Sequence, residues 1–486
     1  MERSWKFGEG FPPKTIAVVG VSRKDKMNAP GYTGLMVLRL LKESGFQGRI
    51  YPVNPNASRI EGLKVYPRVT DIPEPLDLVT ITVPAAVVPQ VLEDCAAVGA
   101  LNVHITTSGF AETGRPEGKE LQDRIRQIAL RNDMRVIGPN CMGFHVPSAG
   151  MKMFDEVPMV QGSVGFVSQS GGHIHTLLKH APDFGFGVST AISYGNALML
   201  DGPDFLEYLA GDPETRIICM YIEGVRNGRR LMDLVKSANL MKPVVIWKGG
   251  LTESGGRAAA SHTGSLAGDG EVWEGFFKQT GAIRVESIEE MAEAAMTLLR
   301  LKPASKPHTV VLSAGGGSTV STGDICAEEG LSVPPLSSQT KAGLLEFISL
   351  VNQGVTNPLD VPGVLMHLPH LKRVLELLAT DPMIGTVVLH VSAQFFVGPG
   401  PMTVEMSEFE RTVAECDQED TDRPNMVVAF CDEYRGDETE RCARELREGG
   451  LAVYSNLRRA CRALTRFTGY NEFLSRVAAR DEERSP

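Results

Sequence analysis

The sequence predicts an α/β protein built from doubly wound parallel sheets, and three observations carry this prediction. From about residue 15 one sequence pattern repeats. A short β-branched run is followed by a turn rich in Gly, Ser, Asn or Pro and then by a charged amphipathic stretch, as in βαβ units. The predicted strands are nearly continuous apolar runs, which is typical of parallel sheets covered on both faces. The 486 residues are too many for one core, and about 100 to 200 residues per domain predict about three domains.

The first unit, residues 1–150, contains five predicted strands with helices between them. Helices are predicted at 33–45 and 87–99, where apolar residues recur every three or four positions. The stretch 143–162 loses this periodicity and is interpreted as a linker. The strands are predicted at 15–20, 49–54, 76–83, 101–108 and 134–140.

Two further units follow, predicted at 151–303 and 304–486, with Pro and Lys between them in "RLKPASKPH". Their openings resemble each other, because an apolar strand runs into "SQSGG" (168–172) or "SAGGGS" (313–318) and then into a predicted helix. The match indicates two related doubly wound domains. The last residues, "ARDEERSP", are interpreted as a solvated tail.

Composition excludes several classes of function. A net charge of −10 argues against a broad basic surface for nucleic acid, although it leaves room for a local cationic pocket. No run approaches the roughly 18 apolar residues of a membrane helix, so we expect no membrane partner. Eight cysteines occur without a CxxC pair or zinc-ligand spacing, so we expect reduced thiols, no metal site and a cytoplasmic location.

The first βα turn favours a ligand with several phosphates over a dinucleotide. A dinucleotide site requires GxGxxG and an acidic residue after the second strand, whereas Gly20 lacks a second glycine and that strand ends in Asn54-Pro55. The turn "VGVSRKDKMN" supplies a hydroxyl and three cations where phosphates would lie. A solvated loop with ordinary surface charges is the alternative.

A lone histidine, His262, lies among small residues in "AAASHTGSLAGDGE". A core histidine normally belongs to a hydrophobic pattern, whereas this one is surrounded by glycine, alanine, serine and threonine. Such backbone can move or can approach a charged group closely. The alternative is an incidental histidine in a surface loop.

Nine phrases resemble, in the correct order, the α subunit of the nucleoside-diphosphate-forming acyl-CoA synthetases. This family includes the ADP-forming acetate–CoA ligases and is related to succinyl-CoA synthetase. The resemblance spans about residues 14–465, and the histidine motif is its most specific part. The phrases are "AVVGVSR", "YPVNPN", "TVPAAVVPQVLEDC", "TSGFAE", "IGPNCMG", "GFVSQSGG", "YIEG", "AAASHTGSLAG" and "TNPLDVPG".

The resemblance implies a Rossmann-like CoA-binding domain followed by two flavodoxin-like domains. It implies an acid–CoA ligase, in which carboxylic acid, CoA and ATP give acyl-CoA, ADP and phosphate through an acyl phosphate. His262 matches the family's phosphohistidine. Glu223, at the end of a predicted strand in "MYIEGV", matches the glutamate that holds its ring. An N-cap or surface carboxylate is the alternative interpretation of Glu223.

The resemblance also assigns binding residues. Phosphate would be bound by Ser170, Gly171 and Gly172 and by Gly315, Gly316, Gly317 and Ser318, since helix amino termini favour anions. CoA, a substrate here, would be bound by Gly20, Ser22, Arg23, Lys24, Val53, Asn54, Pro55, Val83, Pro84, Ser108, Gly109, Phe110 and Asn140.

One residue and one apolar stretch depart from the family pattern, and one cysteine could be mistaken for a nucleophile. Ala314 stands where the family often has asparagine, which would weaken one phosphate contact. The apolar stretch Leu198, Met199 and Leu200 either lines an acyl pocket for a bulkier acid or is ordinary packing, and packing is favoured slightly. Cys141 is not expected to be a nucleophile, because no basic partner lies close in the sequence.

No stretch resembles an ATP-grasp fold, and no GxxxxGK[ST] loop is present. We therefore expect a hetero-oligomer with an ATP-grasp β subunit that binds ATP or ADP with Mg²⁺. A non-catalytic CoA-binding or regulatory protein of the same fold is the main alternative, and a nicotinamide-dependent oxidoreductase is another. The sequence does not identify the acid or distinguish ADP from GDP.

Overall fold

The structure of the protein is a computed structural model that describes residues 7–8, 10–22, 33–257, 269–304, 306–397, 403–416, 423–431 and 436–484. The chain forms two compact units. The first comprises Met1–Pro182 and Phe186–Met291, and the second comprises Asp183–Gly185 and Ala292–Pro486.

The first sheet of the first unit has five parallel strands in the order β2-β1-β5-β6-β7. Its helices form where the apolar spacing predicts them, and α1 buries Leu35, Leu38 and Leu41 on one face. The elements are β1 Thr15–Val19, α1 Gly34–Glu43, β2 Arg49–Val53, the hairpin β3 Arg59–Ile60 and β4 Leu63–Lys64, β5 Leu78–Ile81, α2 Val88–Ala97, β6 Asn102–Ile105, α3 Pro116–Arg131 and β7 Arg135–Ile137.

The second sheet of this unit has seven strands in the order β14-β13-β12-β10-β11-β8-β9, and β8 and β9 run antiparallel to their neighbours. One hydrophobic cluster contains residues of both sheets. The elements are β8 Gly143–Val146, β9 Met151–Lys152, β10 Gln161–Ser168, α4 Gly171–His180, β11 Val188–Ser193, α5 Gly202–Gly211, β12 Ile217–Ile222, α6 Gly228–Asn239, β13 Val244–Lys248, α7 Gly270–Thr280 and β14 Ile283–Val285.

The prediction of a linker at 143–162 is wrong for the first half of that stretch. Residues of β8 pair with β11, and Phe144, Val146, Met151 and Phe154 are buried. These apolar residues do not recur with a clear period, because the strands are short and a turn separates them. Periodicity therefore misses a buried β-ribbon at the edge of a sheet.

The second unit contains a five-stranded parallel sheet in the order β16-β15-β17-β18-β19. The predicted tail is instead the end of a helix that reaches Arg484, since alanine, arginine and glutamate are good helix formers. The elements are α8 Ile288–Arg300, which begins in the first unit, β15 His308–Ser313, α9 Gly316–Glu328, α10 Ser338–Leu345, β16 Leu359–Asp360, α11 Pro362–Leu365, α12 Leu368–Ala379, β17 Ile384–Val391, α13 Met406–Cys416, β18 Asn425–Phe430, α14 Asp437–Glu448, β19 Ala452–Tyr454 and α15 Leu457–Arg484.

The parallel strands of all three sheets share one order. When the parallel strands of each sheet are numbered along the chain, their spatial order is 2-1-3-4-5 in all three sheets. In such sheets, ligands bind outside the carboxyl ends of the strands, where the strand order reverses. Among the described residues, no helix is both long enough and apolar enough to cross a bilayer.

Candidate active site

The carboxyl edge of the first sheet brings together the described residues that were predicted to bind CoA. They are Gly20 and Ser22 after β1, Val53, Asn54 and Pro55 at the end of β2, Val83 and Pro84 after β5, Ser108, Gly109 and Phe110 after β6, and Asn140 after β7. All five strands of the sheet therefore contribute to one candidate ligand edge. Two other predicted ligands, Arg23 and Lys24, lie outside the described residues.

The turn after β1 depends on a glycine and on a contact from β2. Gly20 has φ +101°, and a Cβ there would lie 2.7 Å from Thr82 Oγ1. Asn54 Nδ2 donates to the carbonyl oxygen of Val21 at 2.6 Å. Asn54 thus supports the loop that begins the predicted phosphate-binding turn.

The loop after β6 is held by Glu112, a residue that the sequence analysis missed. The main-chain N–H groups of Gly109 and Phe110 donate to Glu112 Oε1 at 2.5 and 3.0 Å. The Phe110 side chain is fully buried, so only its main chain can face a ligand. The acidic residue that closes "TSGFAE" was the available signal.

The surroundings of Cys141 are those of a structural thiol. Its side chain is buried, and Sγ donates to the carbonyl oxygen of Ile105 at 3.4 Å. Burial raises the pKa of the thiol far above its ordinary value, which disfavours the nucleophilic thiolate.

Glu223 is buried at the carboxyl end of β12. The residue is 6% exposed, and Tyr221 Oη donates to Glu223 Oε1 at 3.2 Å. The N-cap of the following helix is Asn227. The alternative interpretation of Glu223 as an N-cap or a surface carboxylate is therefore wrong.

Gln169 fixes the main chain around Glu223 and was also missed by the sequence analysis. Gln169 is buried, and its Oε1 accepts from the main-chain N–H groups of Glu223 and Gly224 at 2.5 and 3.0 Å. The end of β10 is thereby connected to the end of β12. Only the strand order, which places these two strands side by side, reveals this pair.

Ser170 is the N-cap of α4. Its hydroxyl accepts from the main-chain N–H of His173 at 3.4 Å. A Cβ at Gly171 would clash with Met142 Sδ, whereas a Cβ at Gly172 would meet only Ser170 Oγ, at 3.9 Å. The first turn of α4 can therefore present its positive dipole end to an anion, with open space beside Gly172.

A cavity of about 830 Å³ joins this helix start to Glu223. Lys248, the last residue of β13, is buried there, and its Nζ donates to the main-chain carbonyl oxygens of Glu223, at 2.8 Å, and of Gly249. Burial lowers the pKa of Lys248 to about 8, while the charge of Glu223 opposes the shift. The cavity is lined by Ser170, His173, Tyr221, Glu223, Trp247, Lys248, Gly249, Gly250, Leu251, Thr252, Gly255, Arg284, Val285 and Glu286.

The predicted phosphohistidine, His262, lies in 258–268, outside the described residues. The described chain on both sides of this stretch belongs to the first unit, and its last strand residue before the stretch is Lys248. Lys248 Nζ also lies 5.3 Å from the ring centre of Trp273, in the helix that follows the stretch. Lys248 thus contacts both sides of the segment and the main chain of Glu223.

The second glycine-rich helix start belongs to the second unit. Gly315 has φ +102°, and its N–H donates to Asp360 Oδ1 at 2.8 Å, while α9 begins at Gly316. Next to the end of β15, Nδ1 of the buried His390 lies 3.4 Å from Ser313 Oγ. Ser318 Oγ lies 3.3 Å from Ser313 Oγ. The N–H of Gly315 is therefore already engaged, and Gly316, Gly317 and Ser318 form the first turn of the helix.

Leu198, Met199 and Leu200 are all buried in hydrophobic clusters. Arg226 donates to the carbonyl oxygens of Leu198 and Met199 at 2.9 and 2.6 Å, which fixes this stretch. Leu198 also lines a second cavity of about 850 Å³, together with Gln169 and Asn196. Packing therefore accounts for Met199 and Leu200, whereas Leu198 is packed and also lines this cavity.

Comparison with known proteins identifies the family. Residues 14–147 match the family described as a CoA binding domain, and residues 161–298 match the succinyl-CoA ligase like flavodoxin domain. The α subunit of acetate–CoA ligase [ADP-forming] I from Pyrococcus furiosus is 33% identical, over 94% of this chain and 96% of that protein. The chain belongs to the ADP-forming acetate–CoA ligase family. It corresponds to the α subunit of that family, as the sequence predicts.

Other members of the ADP-forming acetate–CoA ligase family differ in length. Acetate–CoA ligase [ADP-forming] I from Archaeoglobus fulgidus is 33% identical over 97% of this chain, which spans 65% of that protein. The chain also resembles an acetyl-coenzyme A synthetase 1 from Ca. Korarchaeum cryptofilum, solved in complex with phosphate and ADP. That match has a TM-score of 0.82 and 29% identity, and it covers 96% of this chain and 97% of the other. The predicted α/β fold, with its CoA-binding and flavodoxin-like domains, is confirmed.

Proposed function

We propose that this chain catalyses the CoA and phosphoryl-transfer half of an acid–CoA ligase reaction, in which carboxylic acid, CoA and ATP give acyl-CoA, ADP and phosphate. The observation that carries the proposal is the buried carboxylate of Glu223, which shares a cavity with the N-terminus of α4. A carboxylate can hold one imidazole nitrogen as a donor and leave the other basic, as a phosphoryl acceptor requires. A helix N-terminus beside it suits the phosphoryl group.

In this proposal, His262 takes a phosphoryl group from ATP and passes it to the carboxylate of the acid. The thiol of CoA then attacks the carbonyl carbon of the acyl phosphate, and inorganic phosphate leaves. Ser170, Gly171 and Gly172 bind phosphate in the first unit. Gly316, Gly317 and Ser318 are assigned the same role in the second, where the N–H of Gly315 already donates to Asp360. The edge of the first sheet binds CoA.

In this proposal ATP or ADP binds, together with Mg²⁺, to an ATP-grasp subunit or domain. The Pyrococcus furiosus relative is named as an α subunit, whereas the Archaeoglobus fulgidus relative extends beyond the matched region. We propose a separate β subunit and hence a hetero-oligomer. A cytoplasmic location belongs to the same proposal, because all eight cysteines are free and seven are buried.

The test is phosphorylation of the chain by a cognate ATP-grasp subunit with Mg²⁺ and γ-labelled ATP. We expect an acid-labile label on His262 that disappears in His262→Asn and falls sharply in Glu223→Gln. His180→Asn, at an exposed histidine in the last turn of α4, is the matched control and should label normally.

An absence of label with an active partner, while CoA still binds, would contradict the proposal. That result would leave a non-catalytic CoA-binding protein of this fold. If the label forms on His262, chase of the labelled protein with acid and CoA identifies the acid, because only a substrate acid discharges the label as phosphate and forms acyl-CoA.

A further inference from the structure

The Glu112 carboxylate bridges two loops of the first unit. One loop, 108–110, follows β6 at the edge predicted to bind CoA, and the other contains Asn196 and follows β11. Glu112 Oε1 accepts from the N–H groups of Gly109 and Phe110, and Glu112 Oε2 accepts from Asn196 Nδ2 at 2.6 Å. A single side chain thus receives three donors from the two loops.

The Asn196 loop continues toward the candidate phosphate site. Asn196 N donates to the carbonyl oxygen of Pro139 at 3.0 Å, and Tyr194 N donates to the carbonyl oxygen of Ser168 at 3.0 Å. Ser168 is bonded in turn to Ser170, through its hydroxyl and the main-chain carbonyl oxygen of Ser170 at 2.7 Å. Hydrogen bonds and the short main-chain segment 194–196 therefore connect the loop 108–110 to the N-cap of α4.

The three groups that contact the Glu112 carboxylate are all N–H donors. An ionised carboxylate accepts only, so it satisfies three N–H donors without conflict. A glutamine in place of Glu112 would point its amide NH₂, itself a donor, either at the N–H groups of Gly109 and Phe110 or at the Asn196 NH₂. Asn196 cannot reverse its amide without loss, because its Oδ1 lies 3.4 Å from the donor Asn140 Nδ2 and its Nδ2 also donates to Gln122 Oε1 at 3.0 Å.

We propose that Glu112 is a positioning residue that holds the CoA-binding loop 108–110 in register with the loop behind the phosphate site. This inference rests on the proposed function, since it concerns how the thiol of CoA reaches the acyl phosphate. Glu112 does not touch the reacting atoms in this scheme. It sets the distance between the loop predicted to bind CoA and the loop behind the candidate phosphate site.

The test compares CoA-dependent and CoA-independent steps in Glu112→Gln. We expect kcat/KM for CoA to fall about ten- to a hundred-fold, as the loss of a hydrogen bond to a charged group predicts. Labelling of His262 by ATP should be unchanged, because that step needs no CoA. Glu117→Gln, at an exposed carboxylate in the first turn of α3, is the matched control and should behave as wild type.

A second variant separates positioning from a general loss of structure. Asn196→Asp places a carboxylate against Glu112 and should reproduce the CoA defect. In the double variant Glu112→Gln/Asn196→Asp, the amide NH₂ introduced by the first substitution donates to the new carboxylate, while the amide oxygen still accepts from Gly109 and Phe110. The new carboxylate also faces Gln122 Oε1, so Gln122 must reverse its amide and give up the long bond from the Ala111 N–H at 3.4 Å. We therefore expect the double variant to recover part of the CoA-dependent rate.

Three results would overturn the inference: an unchanged kcat/KM for CoA in Glu112→Gln, an equal loss in the labelling of His262, or no recovery in the double variant. Calorimetric titration with CoA provides a readout that does not depend on the reaction. If wild type neither labels His262 nor forms acyl-CoA, the proposed function fails. Weaker CoA binding by Glu112→Gln and its recovery in the double variant would then still support the role of Glu112.

Discussion

Lys248 Nζ donates to the main-chain carbonyl oxygen of Glu223 at 2.8 Å, so a buried ammonium supports the strand end that carries the candidate catalytic carboxylate. The same nitrogen donates to the carbonyl oxygen of Gly249, where the chain leaves toward 258–268. Lys248 therefore connects β12 and β13 at the edge of the cavity.

We expect Lys248→Met to lower both stability and phosphorylation. The substitution keeps an unbranched apolar stem but leaves two carbonyl groups without their donor, which costs about 1–3 kcal/mol of unfolding free energy. Urea unfolding measures the first effect, and the rate of His262 labelling measures the second. Lys278→Met, at an exposed position in α7, is the control. Equal stability of the two variants would show that the ammonium does not support Glu223.

Gln169→Leu is expected to disturb Glu223 while sparing CoA binding. Leucine has a similar size but cannot accept from the N–H groups of Glu223 and Gly224, and the buried N–H of Glu223 left without a partner costs about 1–3 kcal/mol. His262 labelling should slow because the carboxylate loses its fixed backbone. Calorimetry should give wild-type CoA affinity, and Gln161→Leu, exposed at the start of β10, should match wild type in both assays. A selective loss of CoA affinity would contradict this assignment.

Alanine substitutions at two adjacent glycines at the start of α4 should have opposite effects on stability. Gly171→Ala forces Met142 to move, because the new Cβ would clash with its Sδ, and such overpacking typically costs about 1–3 kcal/mol. The Gly172 Cβ would enter open space, so Gly172→Ala should fold as well as wild type or better.

If that open space holds the phosphoryl group, Gly172→Ala will impair labelling of His262 despite its normal stability. Thermal unfolding and labelling on the same preparations make the comparison. Normal labelling in Gly172→Ala would place the phosphate elsewhere.

The sequence predicted the strands and the loops at their carboxyl ends, because apolar runs and glycine-rich turns are local signals. It placed Glu223 and Ser170 correctly at strand and helix ends. It did not predict Gln169, Lys248 or Glu112, because their importance comes from bonds to loops that only the strand order brings close. The β8–β9 ribbon was missed for a related reason, since pairing with β11 rather than local periodicity stabilises it.

Two buried histidines should make the protein sensitive to acid. Burial lowers the pKa of His104 to about 3 and that of His145 to about 4, from an ordinary value of 6.5. Between these values and pH 6.5 the unfolded chain binds more protons than the folded one, so stability falls as the pH drops below 6.5. Each histidine contributes a slope approaching about 1.4 kcal/mol per pH unit in that window.

The double variant His104→Leu/His145→Leu is expected to lose this part of the slope, whatever its absolute stability. Urea unfolding of wild type and variant from pH 8 to pH 5 measures the difference. Above pH 7.5 both histidines are neutral in the folded and unfolded states, so the two curves should run parallel there. Parallel curves down to pH 5 as well would mean that the folded protein protonates these rings without cost. The full burial of both residues, His104 on β6 and His145 on β8, opposes that outcome, because a charged imidazole in an apolar environment is strongly disfavoured.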